Sequence, residues 1–147
     1  MRQVLSTLFS VLAALALSCS LATARAAPAS AGDAKAVRLV IQAQLNAFAA
    51  DDARRAFAYA APSIRTMFET PERFLAMVRD SYPMVYRPGA VSFFKPEAVK
   101  GGIVQLVKFS DLDGAEWVAT YHLQRQRDKS WRIAGCVVAP ADSNLTT

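Results

Sequence analysis

The sequence predicts an α+β domain, with N-terminal helices packed on a curved antiparallel sheet. Three observations carry that reading. Between Asp33 and Asp80 apolar residues recur at helical spacing, punctuated by residues that cap helices. Beyond Asp80 the chain turns to β-branched and aromatic residues broken by Pro and Gly, the signature of strands and turns. A hairpin around Gly114 then decides which side of the sheet meets the helices.

Taken in order, the chain opens with Arg2, an apolar run over residues 4–17 and a small-residue stretch over 18–27. That succession is a secretory signal peptide. The apolar run is shorter than the roughly 20 residues a bilayer-spanning helix needs. Of the two A-x-A patterns, Ala22-Thr23-Ala24 and Ala24-Arg25-Ala26, the second leaves Ala27-Pro28 as a flexible start. The expected division is signal peptide 1–26, flexible linker 27–32, one α+β domain 33–140 and polar tail 141–147, in a protein that is periplasmic or secreted. A lipoprotein anchored at Cys19 is the rival, but Ala16 stands where a lipidation signal usually has leucine.

Val37, Val40, Ile41, Leu45 and Phe48 predict an amphipathic helix over 33–50 with Asp33 as its N-cap. Asp51 and Asp52 cap a second helix over 53–59, which ends before Pro62 because the residue preceding proline disfavours helical backbone. A short third helix covers 63–68. The fourth starts with Thr70 as cap and Pro71 at its first position, has Glu72 near its positive end, and carries Phe74, Met77 and Val78 on one face. Pro83 and Pro88 then bracket an extended Met84-Val85-Tyr86. Strands are expected at 90–94, 103–110, 116–125 and 131–138, the first two separated by a loop holding Pro96 and Gly101-Gly102.

The register of the central hairpin follows from its side chains. A two-residue loop at Asp113-Gly114 mixes polar and apolar residues on each face. A three-residue loop, Leu112-Asp113-Gly114, with Gly114 in a left-handed bulge position, pairs Phe109 with Trp117, Val107 with Ala119 and Ile103 with Leu123, so that one face becomes apolar. Odd-numbered side chains from 103 to 123 then look toward the helices. Gln105 and Tyr121 stand opposed within that inner face, and buried polar groups of this kind must find partners. They bond each other and nearby backbone, or they point into a pocket between helices and sheet. With Tyr86 and Trp117 from the aromatic cluster they form the candidate ligand pocket.

The outer face carries Val104, Leu106, Val118, Thr120, His122 and Gln124, too apolar for a fully solvated surface. Homodimerisation through it is expected, with residues 132, 134, 136 and 138 joining that face and Cys136 near the interface. Once Cys19 leaves with the signal peptide, Cys136 is the remaining cysteine and no internal disulfide can form.

The stretch Ala61-Pro62-Ser63-Ile64-Arg65, then Phe68, Thr70-Pro71-Glu72-Arg73-Phe74, Met77-Val78 and Tyr82-Pro83-Met84-Val85-Tyr86-Arg87-Pro88, resembles a bacterial family known as a domain of unknown function, DUF 4864. The ending Trp131-Arg132-Ile133-Ala134-Gly135-Cys136 fits it as well. The resemblance implies a nuclear-transport-factor-like cone, in which helices pack into the concavity of a curved sheet. It implies no catalytic residues.

Composition narrows the chemistry. The net charge of +5 on 147 residues includes Arg2 and Arg25 of the signal peptide, and the basic group Arg125, Arg127, Lys129 and Arg132 surrounds Asp128 in a solvated turn, so no nucleic-acid partner is expected. A single histidine and one cysteine after cleavage leave no metal set. No phosphate loop or dinucleotide fingerprint occurs among the six glycines, so no cofactor is expected. The Asn144-Leu145-Thr146 sequon in the polar tail is treated as chance.

The expected function is therefore non-catalytic: an exported module binding a small apolar or amphipathic ligand, or a partner protein. An isomerase- or dehydratase-like enzyme needs His122 inside as general base, with Tyr121 or Tyr86 as hydrogen-bond donor and Asp80 or Asp51 as acid. A dimeric structural accessory protein is the third alternative.

Overall fold

The computed structural model describes residues 27–141. The expected signal peptide, Cys19 and the Asn144 sequon lie outside them. Within them the α+β class is realised as five helices and a six-stranded antiparallel sheet, all of whose strands but a short first one follow the helices. No helix among the described residues is long and apolar enough to cross a membrane.

Each helix starts where local chemistry supplies acceptors for its first N–H groups. Helix α1 (Ala31–Ala49) is capped by Ser30, not by Asp33 as expected: Ser30 Oγ accepts from the Asp33 N–H at 3.1 Å and donates to the Asp33 carboxylate at 2.9 Å. Asp33 sits instead in the first turn, where its charge suits the helix dipole. Helix α2 (Ala53–Ala58) is capped by Asp52, whose carboxylate accepts from the Arg55 N–H at 3.0 Å. Helix α3 (Pro62–Phe68) begins with proline and has no side-chain cap. Helix α4 (Pro71–Ser81) is capped by Thr70 with Pro71 at its first position, as the sequence predicts.

The extended Met84-Val85-Tyr86 of the sequence reading is corrected to a single helical turn, α5 (Pro83–Tyr86). Pro83 occupies the first helical position, where a missing N–H costs nothing. Met84, Val85 and Tyr86 are all buried, so packing closes a turn between the flanking prolines.

The sheet consists of β1 (Ala27–Pro28), β2 (Ala90–Phe93), β3 (Glu97–Val99), β4 (Gly102–Ser110), β5 (Glu116–Arg125) and β6 (Trp131–Pro140). Its order is β1-β3-β4-β5-β6, with β2 also paired to β4. Strands β2 and β3 share one edge of β4 in tandem, β2 against Val107 to Ser110 and β3 against Gly102 to Val104. Pro96, which lacks a donor, falls in the break between them. The loop expected between residues 94 and 103 is thereby corrected to the short strand β3. It also receives β1, so Ala27 and Pro28, expected within a flexible linker, are paired with Ala98 and Glu97, and the Ala29 N–H reaches Pro96 O at 3.3 Å.

The β4–β5 hairpin has the predicted register: Phe109 opposes Trp117, Val107 opposes Ala119, Gln105 opposes Tyr121 and Ile103 opposes Leu123. Gly114 has φ +85°, the left-handed conformation its bulge position requires. Asp111 organises the loop, its carboxylate accepting from the N–H groups of Asp113 and Ala115 at 3.0 and 2.9 Å. Burial alone would raise its pKa, but the N–H donors of Ala115, Trp117 and the loop bring it below the usual carboxylate value. Ile103, Val107, Phe109, Ala119, Tyr121 and Leu123 are all buried and join Val37, Ile41, Leu45, Phe48, Phe74 and Val78 of the helices in one core.

Strand β6 departs from simple alternation. Leu123 pairs with Ile133 but His122 pairs with Gly135, which leaves Ala134 as an extra residue in a β-bulge. The other edge of β6 is engaged at the same place, since Ala61 N–H donates to Ile133 O at 2.8 Å and Ile133 N–H to Tyr59 O at 2.9 Å. Because of the bulge, Cys136 does not lie on the outer face as expected. It opposes Tyr121, and Val138 beyond it packs against the core while Val137 is exposed.

Candidate functional site

A cavity of about 420 Å³ lies between α1, α3, α4 and the C-terminal half of β6. Its size follows from the elements around it. Helix α3 is held near the sheet only at its start, by the Ala60–Ile133 bridge, and buries none of its own residues fully. The facing stretch of β6, Ala134 to Val138, offers small side chains that do not reach across. Phe48, Phe68 and Phe74 form the wall beneath the helices, with ring centroids 5.8 Å apart for Phe48–Phe74 and 5.4 Å for Phe68–Phe74. Met67, 71% exposed, stands at the rim with Met77 further along.

None of the described residues lining this cavity is charged. Of its polar groups, the Gln44 amide is spent on a buried bond to Ala56 O at 3.0 Å, which ties α1 to α2. Tyr121 is different. It is 1% exposed, and its hydroxyl has no hydrogen-bond partner among the described residues. Burial, and after it the Cys136 thiol nearby, push the phenol well above its ordinary pKa, so it stays a neutral donor. The thiol acts on it through its charge and a weak polar contact, and lies outside the distance and angle of a formed hydrogen bond.

An orphaned buried hydroxyl costs desolvation without a bond in return. Tyr121→Phe is therefore expected to raise stability by about 1 kcal/mol, read as a higher urea midpoint at unchanged slope. A lower midpoint would show that the hydroxyl is satisfied in solution.

Cys136 is exposed as a residue on an edge strand, yet its thiol is crowded at the cavity. Burial pushes its pKa up to about 12, with the Tyr121 hydroxyl acting in the opposite sense. Roughly a thousandfold less thiolate is present at pH 8 than for an unburied thiol, partly offset by the greater nucleophilicity of a more basic thiolate. Alkylation by iodoacetamide is expected to run about thirtyfold slower than for a free cysteine peptide. Labelling at the peptide's rate would contradict this placement.

The four residues the sequence proposed for a pocket are not brought together. Tyr121 alone lines the cavity. Gln105, though opposed to it across the hairpin, donates through Nε2 to Phe94 O at 2.7 Å and Leu106 O at 2.8 Å, and borders a separate depression near Arg38 and Phe93. Tyr86 donates to the Asp51 carboxylate, which also pairs with Arg87 at 3.0 Å. That carboxylate and then burial hold the phenol above its usual pKa, and the cluster steadies Asp51 at φ +54°. Trp117 points its indole N–H toward the Asp111 carboxylate at 3.4 Å and anchors the hairpin loop.

His122 is exposed and pairs with Val104 and Gly135 on the face opposite Tyr121. Asp51 is engaged by Tyr86 and Arg87, and exposed Asp80 pairs with Arg79 at 3.1 Å. Neither acid lines the cavity. Of the residues that do line it and were missed, Met67 and Met77 come from α3 and α4, whereas Cys136 turns inward through the β6 bulge. Its one sequence signal is Gly135 inside an apolar strand.

No curated protein and no solved structure matches the chain. A family model does match, over residues 30–146, nearly all of the described domain. The chain belongs to the family described as a domain of unknown function, DUF4864.

Proposed function

We propose that this protein is an exported binding module that holds one small apolar molecule in the cavity between α3, α4 and β6, and that it is not an enzyme. The observation that carries the reading is an apolar hollow of about 420 Å³, lined without charge and of the size that small-molecule sites have. A general base is missing from its described lining, and the one imidazole of the chain faces the other way. A nuclear-transport-factor-like cone suits this use, since that arrangement leaves space between helices and sheet.

The neutral dye N-phenyl-1-naphthylamine tests it. Saturable, one-to-one fluorescence enhancement is expected at micromolar protein. Val138→Trp, which fills the cavity from β6, is expected to abolish the enhancement, whereas Leu106→Trp on the outer face leaves it intact. Failure of the wild-type protein to saturate, or equal binding by Val138→Trp, would sink the reading.

A second reading concerns the outer face, where register places Leu106, Thr120 and Val137 in one row, with Leu106 38% and Val137 67% exposed. An uncharged row of this kind suits pairing with a second copy. Sedimentation at micromolar concentration is expected to give a dimer that Val137→Glu dissociates. A wild-type monomer would exclude it.

A further inference from the structure

We propose that the molecule held in the cavity is uncharged and presents a single hydrogen-bond acceptor, such as a ketone, aldehyde or ester carbonyl, to the hydroxyl of Tyr121. This deepens the reading above and rests on it.

The argument is one of matching what is left unpaired. A carboxylate or ammonium entering this space would lose its hydration and meet no opposite charge among the described lining residues. Charged ligands are therefore rejected. A pure hydrocarbon would fill the apolar walls but leave the Tyr121 hydroxyl as it is now, buried without a partner. An acceptor on the ligand repairs that defect, and the gain appears only when ligand is bound.

The other polar groups do not compete for the same role. Gln44 is committed to Ala56 O, and Tyr82, which also lines the cavity, is only half-buried and carries no buried unpartnered hydroxyl. The thiol of Cys136, directly across from Tyr121, is a weak donor and stays protonated. The phenol is likewise held in its donor form by burial. One buried, unpartnered donor in an apolar hollow selects one acceptor on an apolar body, and a carbonyl accepts that bond while bringing no O–H or N–H of its own to be buried. Sites built around a single buried polar group discriminate well against analogues that lack its complement.

Three probes of similar shape test the proposal by displacing N-phenyl-1-naphthylamine: 2-acetylnaphthalene, its hydrocarbon analogue 2-isopropylnaphthalene, and 2-naphthoate. For the wild-type protein the ketone is expected to bind about tenfold tighter than the hydrocarbon, and the anion not to displace the dye. In Tyr121→Phe the ketone falls to the affinity of the hydrocarbon, whose own affinity is unchanged.

The proposal is overturned if ketone and hydrocarbon bind the wild-type protein alike, if the preference survives in Tyr121→Phe, or if naphthoate binds most tightly. In all three cases the cavity still binds apolar molecules. If the dye itself fails to bind the wild-type protein, the cavity reading has failed as well, and the two failures are thereby told apart.

Discussion

Phe109→Ala is expected to lower the stability of the domain by about 4 kcal/mol, whereas Leu106→Ala on the same strand costs less than about 1 kcal/mol. Phe109 is fully buried, opposite Trp117, and its ring sits in the core shared by helices and sheet. Truncation removes the ring's transfer free energy and leaves a hole that β4, fixed by pairing on both edges, cannot close. Leu106, of opposite parity, is 38% exposed and leaves little behind. Urea unfolding of the two variants thus reads which face of β4 looks inward. Similar losses at both positions would mean that the strand is in the other register or that its outer face is also covered.

Gly102→Ala is expected to cost about 3 kcal/mol, because the added carbon has no direction in which to go. A β-carbon at this position would lie 2.0 Å from the backbone oxygen of Leu123, and no flexible side chain is there to yield. Relief requires β4 and β5 to part where their pairing begins. Gly102 also pairs with Val99, so the disturbance reaches β3 and, through it, β1. Amide exchange is expected to accelerate at Ala98, Ile103 and Leu123 before the rest of the sheet. Gly135→Ala is the control, since a β-carbon there meets nothing within 4 Å. Equal tolerance at the two glycines would show that the close approach of β4 to Leu123 is not kept in solution.

Much of this fold was legible because its signals are local. Thr70-Pro71-Glu72 specifies a helix start on its own, and Asp52 does the same for α2. The hairpin register was legible for a different reason: a slip of one residue would put Phe109 on the face opposite Tyr121 and Lys108 on the same face as Tyr121, so burial chooses the pairing. What escaped was decided by tertiary partners. Residues 27–28 and β3 form strands because each supplies the other's hydrogen bonds, and α5 forms because its three apolar side chains are buried.

The candidate site escaped in part for the same reason. Tyr121 was visible as a polar residue on an apolar face. Its company was not, because the extra residue at Ala134 reverses the parity of β6 and brings Cys136 and Val138 inward. That bulge coincides with the bridge from Tyr59 and Ala61 to Ile133, a contact between segments far apart in the chain. Gln105 shows the converse. Register placed it opposite Tyr121, yet its amide is absorbed by the backbone of Phe94 and Leu106, which no spacing rule reveals.

The most direct measurement is an isotope-filtered NMR experiment on the protein with bound N-phenyl-1-naphthylamine. Cross-peaks are expected from the dye to methyl groups of Ile64, Met67, Met77 and Val138, which surround the hollow, and none to Val104 or Leu106 across the sheet. Contacts confined to the outer face, or a dye that leaves the four inner methyls unshifted at saturation, would contradict the assignment of this cavity as the place where the protein binds.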